Sequence, residues 1–540
     1  MIDRTLRVIF RLVLTVAVLG TLVVTAAFTR AGEPPQTAAA AREAEIVLTP
    51  KPGPAPRING PERFGVRPGR PFLYRIPCTG QRPISFSVAG LPSGMQVNAD
   101  TGIINGTAPD KPGQYALTLQ ASNAHGNATR KFTLMVGNTL ALTPPMGWNS
   151  WYIHFSSVSE KAMRAAADAM IASGMADVGY MYVNIDDCWM KRRDDTPYRD
   201  ADGTILCNDR FPDIRGMVEY IHSKGLRAGI YTSPGPWTCG RYVGSYQHEE
   251  QDARTFAAWG FDFLKYDWCS YSEIYKERVK TSGNDLREKQ RPYQQMGDIL
   301  KRLDRDVVFN LCQYGMNDVW TWGDKVGGHC WRTTRDVGWA KDTNLPGFYS
   351  IGLSNAQHWK YAKPGAWNDP DYLVIGMIGN HDKYVAQLRA GEIPKIEFLP
   401  TPLTPDEQYS YMSMWCLMAA PLFFSGDMAQ LDAFTLGVLC NPEVIEVDQD
   451  VLGRQAALVR HTDSDLILAK SMEDGSLAVG LFNLGERPRP MTAAWQDLGL
   501  AGKLRVRDLW RQKDLGSFED RFTTQVNRHG VSLLRFFPAE

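Results

Sequence analysis

The sequence predicts a multidomain protein with an N-terminal β-sandwich, a central (β/α)8 (TIM) barrel and a C-terminal antiparallel β-sandwich. Short β-rich runs separated by turns occupy the part of the chain before residue 137. From about residue 144 to 450, strand and helix patterns alternate with short connections, which is typical of parallel βαβ units. Beyond residue 450 the alternation gives way to hairpin patterns.

The composition is that of an ordinary globular protein, and it excludes some classes of partner. Hydrophobic residues make up 44% of the 540 residues and charged residues 22%, which is enough apolar material for sizeable cores. Lys and Arg together number 59, as do Asp and Glu, so no net charge attracts a polyanion. We therefore expect no nucleic acid among the partners, and no membrane beyond the N-terminal segment.

Residues 1–31 have the pattern of a secretory signal peptide. Three arginines among the first eleven residues precede an apolar stretch over 12–28, and small residues follow it. We expect the protein to be exported and to be periplasmic or extracellular after cleavage. An uncleaved anchor is the alternative, because the apolar stretch is long enough to serve as one.

A linker and a small β domain are predicted next. Residues 32–55 are rich in Pro, Ala and Gly, which indicates a linker. Residues 56–137 contain the β-rich runs Phe72–Ile76, Tyr115–Leu119 and Lys131–Val136, with Gly-containing turns between them. This spacing of short strands favours a small β-sandwich, in which no polar cluster indicates a catalytic site.

Residues 138–449 form the predicted barrel. A Gly-x-Gly-x-x-Gly dinucleotide signature does not occur in the sequence, which favours a barrel over an open nucleotide-binding sheet. The predicted helices cover 160–173, 212–224 and 249–259. The predicted strands are Tyr180–Val183, Arg227–Tyr231, Phe261–Tyr266, Val307–Leu311, Trp331–Thr333 and Leu422–Phe424.

Residues 450–540 form the predicted C-terminal domain. The runs Leu466–Ser471 and Leu477–Asn483 flank Asp474-Gly475, a strong signal for a tight hairpin. Further strands are predicted over Leu504–Leu509 and Val531–Phe537. The pattern indicates antiparallel β structure throughout.

Carboxylates follow several of the predicted barrel strands, where the active site of such a barrel lies. Hydrolysis of a glycosidic bond needs two carboxyl groups that flank the scissile carbon. Each Asp alone would equally suit a helix cap or a turn. Asp267 stands out because Lys265, two residues earlier, points to the same side of the strand and favours the ionised form. The candidates are Asp186, Asp187, Asp267, Asp336 and Asp371.

Six motifs carry a resemblance to a known family. They are Pro144–Trp151, Ile185–Trp189, Gly229–Tyr231, Lys265–Asp267, Trp331–Arg332 and Trp367–Asp371. In these motifs, and in their order from about 140 to 454, the chain resembles the α-galactosidase (melibiase) family, glycoside hydrolase family 27. The part from about 56 to 136 is similar to an immunoglobulin-like module that precedes some bacterial members.

The resemblance implies an exo-acting, retaining glycosidase that releases terminal α-D-galactosyl residues through a covalent glycosyl-enzyme, without a cofactor or a catalytic metal. Its substrates would be α-galactoside oligosaccharides or polysaccharide side chains. By motif match Asp267 would be the nucleophile and Asp336 the acid/base. The residues expected to hold the sugar are Trp151, Asp186, Asp187, Tyr231, Lys265, Gln313, Arg332 and Asp371.

One departure from the family bears on the substrate. Many of the family's galactosidases have Glu where this chain has Gln313, which keeps the size and the hydrogen bonding but not the charge. The family's N-acetylgalactosaminidases tend to have a small residue there, so Gln313 argues against that sugar. Members of the family also act on β-L-arabinopyranosides and on isomalto-dextran, which leaves both open as substrates. A non-catalytic, carbohydrate-binding surface protein is the alternative class, and the presence of both Asp267 and Asp336 argues against it.

The chain has nine Cys, an odd number, so at least one thiol stays unpaired within the chain. The Cys-x-x-Cys spacing of structural zinc sites is absent from the sequence, and we expect no metal. The resemblance implies a disulfide between Cys239 and Cys269 that ties two active-site loops. We also predict a disulfide between Cys312 and Cys330, because they lie near adjacent strands.

Overall fold

The computed structural model describes residues 46–339, 345–390, 392 and 394–538. The predicted signal peptide, residues 1–31, and the first part of the predicted linker lie outside the described residues. In the described ranges, no helix is long and apolar enough to cross a membrane.

The N-terminal domain is a β-sandwich, as predicted. Its strands are β1 Arg57–Ile58, β2 Arg63–Val66, β3 Pro71–Arg75, β4 Cys78–Thr79, β5 Ser85–Ala89, β6 Met95–Val97, β7 Ile103–Thr107, β8 Gly113–Asn123 and β9 Gly126–Val136. One sheet has the order β2-β9-β8-β5, a second has the order β3-β7-β6, and β1 pairs with β4. Phe72, Tyr74, Leu117, Phe132 and Leu134 are buried in its core.

The central domain is a parallel eight-stranded sheet, which confirms the predicted barrel. Its strands are β10 Met146–Asn149, β11 Tyr182–Asn184, β12 Arg227–Thr232, β13 Phe263–Asp267, β14 Val308–Cys312, β15 Cys330–Arg332, β16 Trp367–Asp369 and β19 Leu422–Phe424. Between β16 and β19, the strands β17 Met377–Gly379 and β18 Phe398–Pro400 pair with each other outside this sheet. Consecutive strands pair from β10 to β16, and β19 pairs with β10. A parallel bridge between Leu373, just beyond β16, and Phe424 of β19 connects the two outer edges of this sheet.

Helices alternate with these strands. They are α1 Trp151–His154, α2 Glu160–Ala172, α3 Ile214–Ser223, α4 Glu249–Trp259, α5 Tyr271–Ser282, α6 Asp285–Arg302, α7 Gly347–Ala356, α8 His381–Arg389, α9 Pro405–Leu417, α10 Ala433–Leu439, α11 Pro442–Asp448 and, in the C-terminal domain, α12 Trp495–Leu498. Helix α4 spans the predicted residues and ends at Gly260, whose φ of 98° suits a residue without a side chain.

The C-terminal domain is antiparallel, as predicted. Its strands are β20 Ala457–His461, β21 Asp465–Ser471, β22 Leu477–Asn483, β23 Arg489–Ala494, β24 Lys503–Asp508, β25 Lys513–Glu519, β26 Arg521–Val526 and β27 Val531–Pro538. Six of them form a sheet in the order β20-β21-β22-β27-β24-β25, and β23 pairs with β26. Val479, Leu481, Trp495 and Phe536 are buried in its core.

Residues 46–49, at the described end of the predicted linker, are bound to the barrel. The Tyr409 hydroxyl accepts a hydrogen bond of 2.9 Å from the Leu48 amide and donates one of 2.9 Å to the Ile46 carbonyl. The Thr49 hydroxyl donates to the Gly437 carbonyl at 2.6 Å. The Pro-rich composition indicates a linker, but the backbone of Ile46 and Leu48 finds a partner on the barrel, and the Pro54 carbonyl accepts a hydrogen bond of 2.9 Å from the Gln81 amide of the N-terminal domain.

The N-terminal domain docks on the end of the barrel where the strands begin. The Arg67 guanidinium donates to the carbonyl of Lys301, in the last turn of α6, at 2.6 Å and to that of Leu303, just after α6, at 3.1 Å. It also pairs with Asp306, which precedes β14. Arg227, the first residue of β12, donates to the Leu73 carbonyl at 2.8 Å. The domain therefore lies at the opposite end of the barrel from the carboxyl ends of the strands.

Replacing Arg67 by Met is expected to lower the free energy of unfolding by about 3 kcal/mol, because it leaves Asp306 and the last carbonyls of α6 without their cation. Urea unfolding followed by circular dichroism measures the change. Arg70→Met is the matched control. Arg70 pairs with Asp304 at the same interface, but Asp304 is 97% exposed, so the expected change is below about 1 kcal/mol. Equal losses in the two variants would contradict the anchoring role of Arg67.

Candidate active site

Polar side chains from several barrel strands meet at the carboxyl ends of the strands. Asp186 follows β11, and its Oδ2 accepts hydrogen bonds from Lys265 Nζ at 2.8 Å and from the Tyr372 hydroxyl at 3.1 Å. The backbone N–H of Asp186 donates to the Ser150 hydroxyl, just after β10, at 2.9 Å. All four residues are buried, so this network joins four strand ends in a nearly dry environment.

Asp267, the last residue of β13, is held by two hydroxyl groups. Its Oδ2 accepts from the Tyr231 hydroxyl at 2.8 Å, and its Oδ1 accepts from the Tyr314 hydroxyl at 2.8 Å. Burial raises the pKa of Asp267, and the charge of Asp336 raises it further, whereas Lys265 and the two hydroxyl donors oppose the rise. The carboxylate is thus desolvated but fixed in position by donors that favour its ionised form.

Asp336 belongs to a second group of charges around Arg332. Arg332 Nη1 lies 3.0 Å from Asp336 Oδ1 and 3.3 Å from Asp371 Oδ1. The Arg332 side chain is 2% exposed and that of Asp336 is 29% exposed, so Asp336 is the carboxylate of this group that reaches solvent.

Asp371 is held on its other side by neutral donors. Its Oδ2 accepts from the Val337 amide at 2.8 Å and from the Tyr152 hydroxyl at 3.1 Å. Burial raises the pKa of Asp371 to about 6, against the opposing effect of Arg332. The contact with Val337 also ties Asp371 to the segment that carries Asp336.

Asp187 holds the loop that contains Cys239. Its Oδ2 accepts from the Gly240 amide at 2.7 Å, and its Oδ1 accepts from the Cys188 amide at 2.7 Å. Burial raises the pKa of Asp187 to about 7, although these donors oppose the rise.

Trp151 and Gln313 differ from the other predicted site residues. Trp151 is partly buried, and its ring packs edge-on against Phe155 and Tyr384. Gln313 is fully buried, and neither polar atom of its side chain has a hydrogen-bond partner among the described residues. An unsatisfied buried amide costs about 1–3 kcal/mol.

The backbone around the site is strained. Four non-glycine residues there have a positive φ: 80° at Cys188, 37° at Cys269, 64° at Tyr314 and 97° at Asp371. Such conformations cost about 1–3 kcal/mol each and persist where surrounding contacts enforce them, which is common at functional sites.

Of the two predicted disulfides, the structure contains one and contradicts the other. The structure joins Cys239 and Cys269 in a disulfide, with Cα atoms 4.9 Å apart. It leaves Cys312 and Cys330 as buried free thiols, which contradicts the predicted second disulfide. The register explains the difference, because Cys330 lies opposite Asn310 rather than Cys312. Cys330 Sγ instead contacts Asn310 Nδ2 at 3.1 Å.

Non-reducing peptide mapping of protein from an oxidising compartment is expected to join Cys239 to Cys269. Cys312 and Cys330 are expected to react with an alkylating reagent only after unfolding, because both are buried. A peptide that links Cys312 to Cys330 would contradict the register of β14 and β15.

Cys239, Asp267 and Cys269 form the one cluster of potential metal ligands within the described ranges. Two of its three atoms are disulfide sulfurs, which offer no thiolate. These residues do not fit a metal ion.

Three tyrosines complete the site beyond the residues that the sequence indicated. Tyr314 contacts Asp267, Tyr372 contacts Asp186, and Tyr152 contacts Asp371. Tyr314 lies directly after Gln313, and Tyr372 lies directly after Asp371. Their position next to a candidate residue is the sequence signal that could have indicated them.

The chain matches three family models that follow one another along it. Residues 143–393 and 400–450 match the model described as "Alpha galactosidase A". Residues 464–536 match "Alpha galactosidase C-terminal beta sandwich domain", and residues 55–137 match "Putative Ig domain".

Relatives and solved structures agree with these matches. Alpha-galactosidase 2 of Arabidopsis thaliana is 35% identical over 405 residues, which cover 74% of this chain and 91% of the relative. Alpha-galactosidase A of Cellvibrio japonicus is 33% identical, over 74% of this chain and 93% of the relative. A Bacteroides fragilis crystal structure described as "a putative alpha-galactosidase/melibiase" is 34% identical, with a TM-score of 0.79, and the match covers 91% of this chain and 99% of that chain. This chain therefore belongs to the α-galactosidase (melibiase) family and is a glycoside hydrolase.

Proposed function

We propose that the protein is an exported, retaining exo-α-galactosidase that acts by double displacement. The observation that carries the proposal is the environment of Asp267, a buried carboxylate held by the Tyr231 and Tyr314 hydroxyls beside Lys265. Burial strips water from the nucleophile and raises its pKa, while the donors and the neighbouring cation oppose that rise and favour the ionised form. The curated α-galactosidases among its relatives support the choice of substrate.

In the first step, a carboxylate oxygen of Asp267 bonds to the anomeric carbon while the glycosidic bond breaks. Asp336 gives its proton to the departing oxygen, so the aglycone leaves as a neutral alcohol. In the second step, Asp336 takes a proton from water as that water attacks the anomeric carbon and releases Asp267. The greater exposure of Asp336 suits a group that must meet both the leaving group and water.

Around this pair, the buried polar groups suit a single terminal sugar. Asp186, Asp187 and Asp371 offer acceptors for hydroxyl groups, Lys265 and Arg332 offer donors, and the unpartnered amide of Gln313 offers both. Trp151 adds a partly exposed apolar face for the ring.

A panel of nitrophenyl glycosides tests the substrate. We expect the highest kcat/KM with the α-galactoside, and lower values with the β-L-arabinopyranoside and the α-N-acetylgalactosaminide. A higher value with either of those sugars would reassign the substrate while leaving the mechanism in place. Inactivity of folded protein on the whole panel and on isomalto-dextran would favour the non-catalytic class.

NMR of the first product formed tests the mechanism. Retention predicts that α-galactose appears before mutarotation, because two displacements occur at the same carbon. Initial release of the β anomer would contradict a glycosyl-enzyme on Asp267.

Export rests on two features of the chain. The basic and then apolar pattern of residues 1–31 is typical of a signal peptide, and the Cys239–Cys269 disulfide is compatible with an oxidising compartment. Cell fractionation with N-terminal sequencing of the product tests this, and a cytoplasmic protein with its N-terminus intact would contradict it.

A further inference from the structure

Lys289 is a buried cation that the proposed reaction does not use. It lies on α6 and is 4% exposed. Its ammonium lies 4.2 Å from the ring centroid of Trp268 and 3.8 Å from that of Tyr275, and it contacts the Met316 sulfur at 3.3 Å. No carboxylate in the described part of the chain forms an ion pair with it.

Two of the contacts of Lys289, Trp268 and Met316, belong to the two loops next to Asp267, and the third, Tyr275, lies on α5. Trp268 directly follows Asp267 at the end of β13. Met316 lies two residues after Tyr314, whose hydroxyl donates to Asp267 Oδ1 at 2.8 Å. The ammonium therefore bridges the loop that carries the nucleophile and the loop that carries one of its hydrogen-bond donors.

Burying the Lys289 ammonium costs free energy, which a specific interaction must offset. Burial lowers the pKa of Lys289, because desolvation penalises the charged form, and Asp285 only partly opposes this. An apolar side chain of similar length would fill the space between the rings without that penalty. What the cation adds is attraction to the faces of Trp268 and Tyr275, which draws the Trp268 loop and α5 toward α6, together with its contact with the Met316 sulfur on the Tyr314 loop.

The Tyr314 loop requires such restraint. Tyr314, Asn317 and Asp318 have φ values of 64°, 52° and 51°, which are unfavourable for residues with a side chain. One helical turn before Lys289, the Asp285 carboxylate accepts hydrogen bonds from the Tyr275 hydroxyl and from the side-chain Nδ2 of Asn317. The first two turns of α6 therefore hold the strained loop at two points, through the Asp285 carboxylate and through the Lys289 ammonium.

We propose that Lys289 is a positioning residue for the nucleophile: it holds the Trp268 and Met316 loops together and so keeps the Tyr314 hydroxyl on Asp267. The proposal rests on the proposed role of Asp267. Without the ammonium, the loop relaxes, the hydrogen bond from Tyr314 lengthens and Asp267 is less well aligned for attack. The expected effect falls on the chemical step rather than on sugar binding.

A double-mutant cycle of Lys289→Met and Tyr314→Phe tests this in the full-length protein. Lys289→Met keeps the length and the apolar stem but removes the charge. We expect it to lower kcat/KM for nitrophenyl α-galactoside about tenfold, while the inhibition constant of free galactose changes less than about twofold. In the Tyr314→Phe background the same change is expected to cost less than about twofold, because the hydrogen bond that Lys289 supports is already absent.

Two further variants separate positioning from stability. Lys289→Arg keeps a cation against the rings and is expected to remain within about threefold of wild-type kcat/KM. Arg291→Met removes the partner of the buried Glu288 from the same helix, where Arg291 Nε lies 2.6 Å from Glu288. It is expected to lower the melting temperature without changing kcat/KM. If Lys289→Met does not fold, Tyr275→Leu replaces it in the cycle, because it removes one of the two aromatic rings that contact the Lys289 ammonium.

Failure of the Lys289 role can be distinguished from failure of the proposed function. Additive losses in the cycle, or a Lys289→Met enzyme with wild-type kcat/KM, would overturn the role of Lys289 and leave the proposed function intact. If the wild type prefers another glycoside, the cycle is run on that substrate, because Lys289 acts on the position of Asp267 and not on the sugar. A folded wild type that is inactive on every glycoside would overturn both proposals.

Discussion

The Asp267→Asn variant is expected to lose turnover by roughly 10⁴-fold or more, while its fold and its affinity for galactose stay close to those of the wild type. The substitution conserves shape but removes the electron pair that forms the glycosyl-enzyme. One amide oxygen can still accept from Tyr231 or Tyr314, whereas the NH2 group cannot accept from the other hydroxyl. The loss therefore falls on kcat, with a smaller cost in stability.

Three measurements check this prediction. Hydrolysis of nitrophenyl α-galactoside gives kcat, calorimetry gives the affinity for galactose, and a thermal melt reports folding. Active-site titration with a slow-turnover substrate excludes trace wild-type enzyme as the source of residual activity. Near-normal kcat in the variant would remove Asp267 from the nucleophile role and would leave the family membership unaffected.

The sequence predicted most of the fold because apolar runs and breaker residues mark most elements. It missed two of the eight barrel strands, β10 and β16. β10 contains Gly147 and ends at Asn149, and β16 reads Trp-Asn-Asp, so neither shows a β-type apolar run. Both are short and buried. The polar residues of β16 contact neighbouring strands, where Asn368 accepts from Trp331 of β15 and Asp369 accepts from Asn310 of β14, which one chain segment alone does not reveal.

Local spacing also explains which parts of the site could be predicted. Lys265 and Asp267 share one face of a strand, so their proximity follows from a separation of two residues. The contact of Tyr314 with Asp267 depends instead on a loop with positive φ, and the Cys330–Asn310 pairing depends on the register of two strands. Neither has a local signature, and the predicted Cys312–Cys330 disulfide was wrong for that reason.

The docking of the N-terminal domain was equally invisible in the sequence. Arg67 is one of 59 basic residues, and its contacts lie more than two hundred residues further along the chain. The structure places this domain at the end of the barrel opposite the carboxylates. The domain therefore packs against the end of the barrel where the strands begin. Arg67→Met should change the free energy of unfolding without changing the geometry of the candidate active site.

In Asp336→Asn, the loss of activity is expected to depend on the leaving group. With an alkyl or sugar aglycone, which must be protonated to depart, kcat/KM is expected to fall about 10³-fold. With a dinitrophenyl aglycone, which leaves as a stable anion, the loss in kcat/KM is expected to be about tenfold or less. The second step still lacks its base, so the glycosyl-enzyme accumulates and a burst of dinitrophenol precedes slow turnover.

Added azide is expected to restore turnover in Asp336→Asn, because it needs no general base to attack the anomeric carbon. The Asp336 side chain is 29% exposed, so a small anion can reach the face of the sugar that the aglycone has left. Attack from that face gives α-galactosyl azide, which NMR distinguishes from the β anomer. Azide on Asp267→Ala, the matched control, would enter from the opposite face and give the β product. Equal losses for all leaving groups, with no azide adduct, would assign the proton transfer to another group near Arg332.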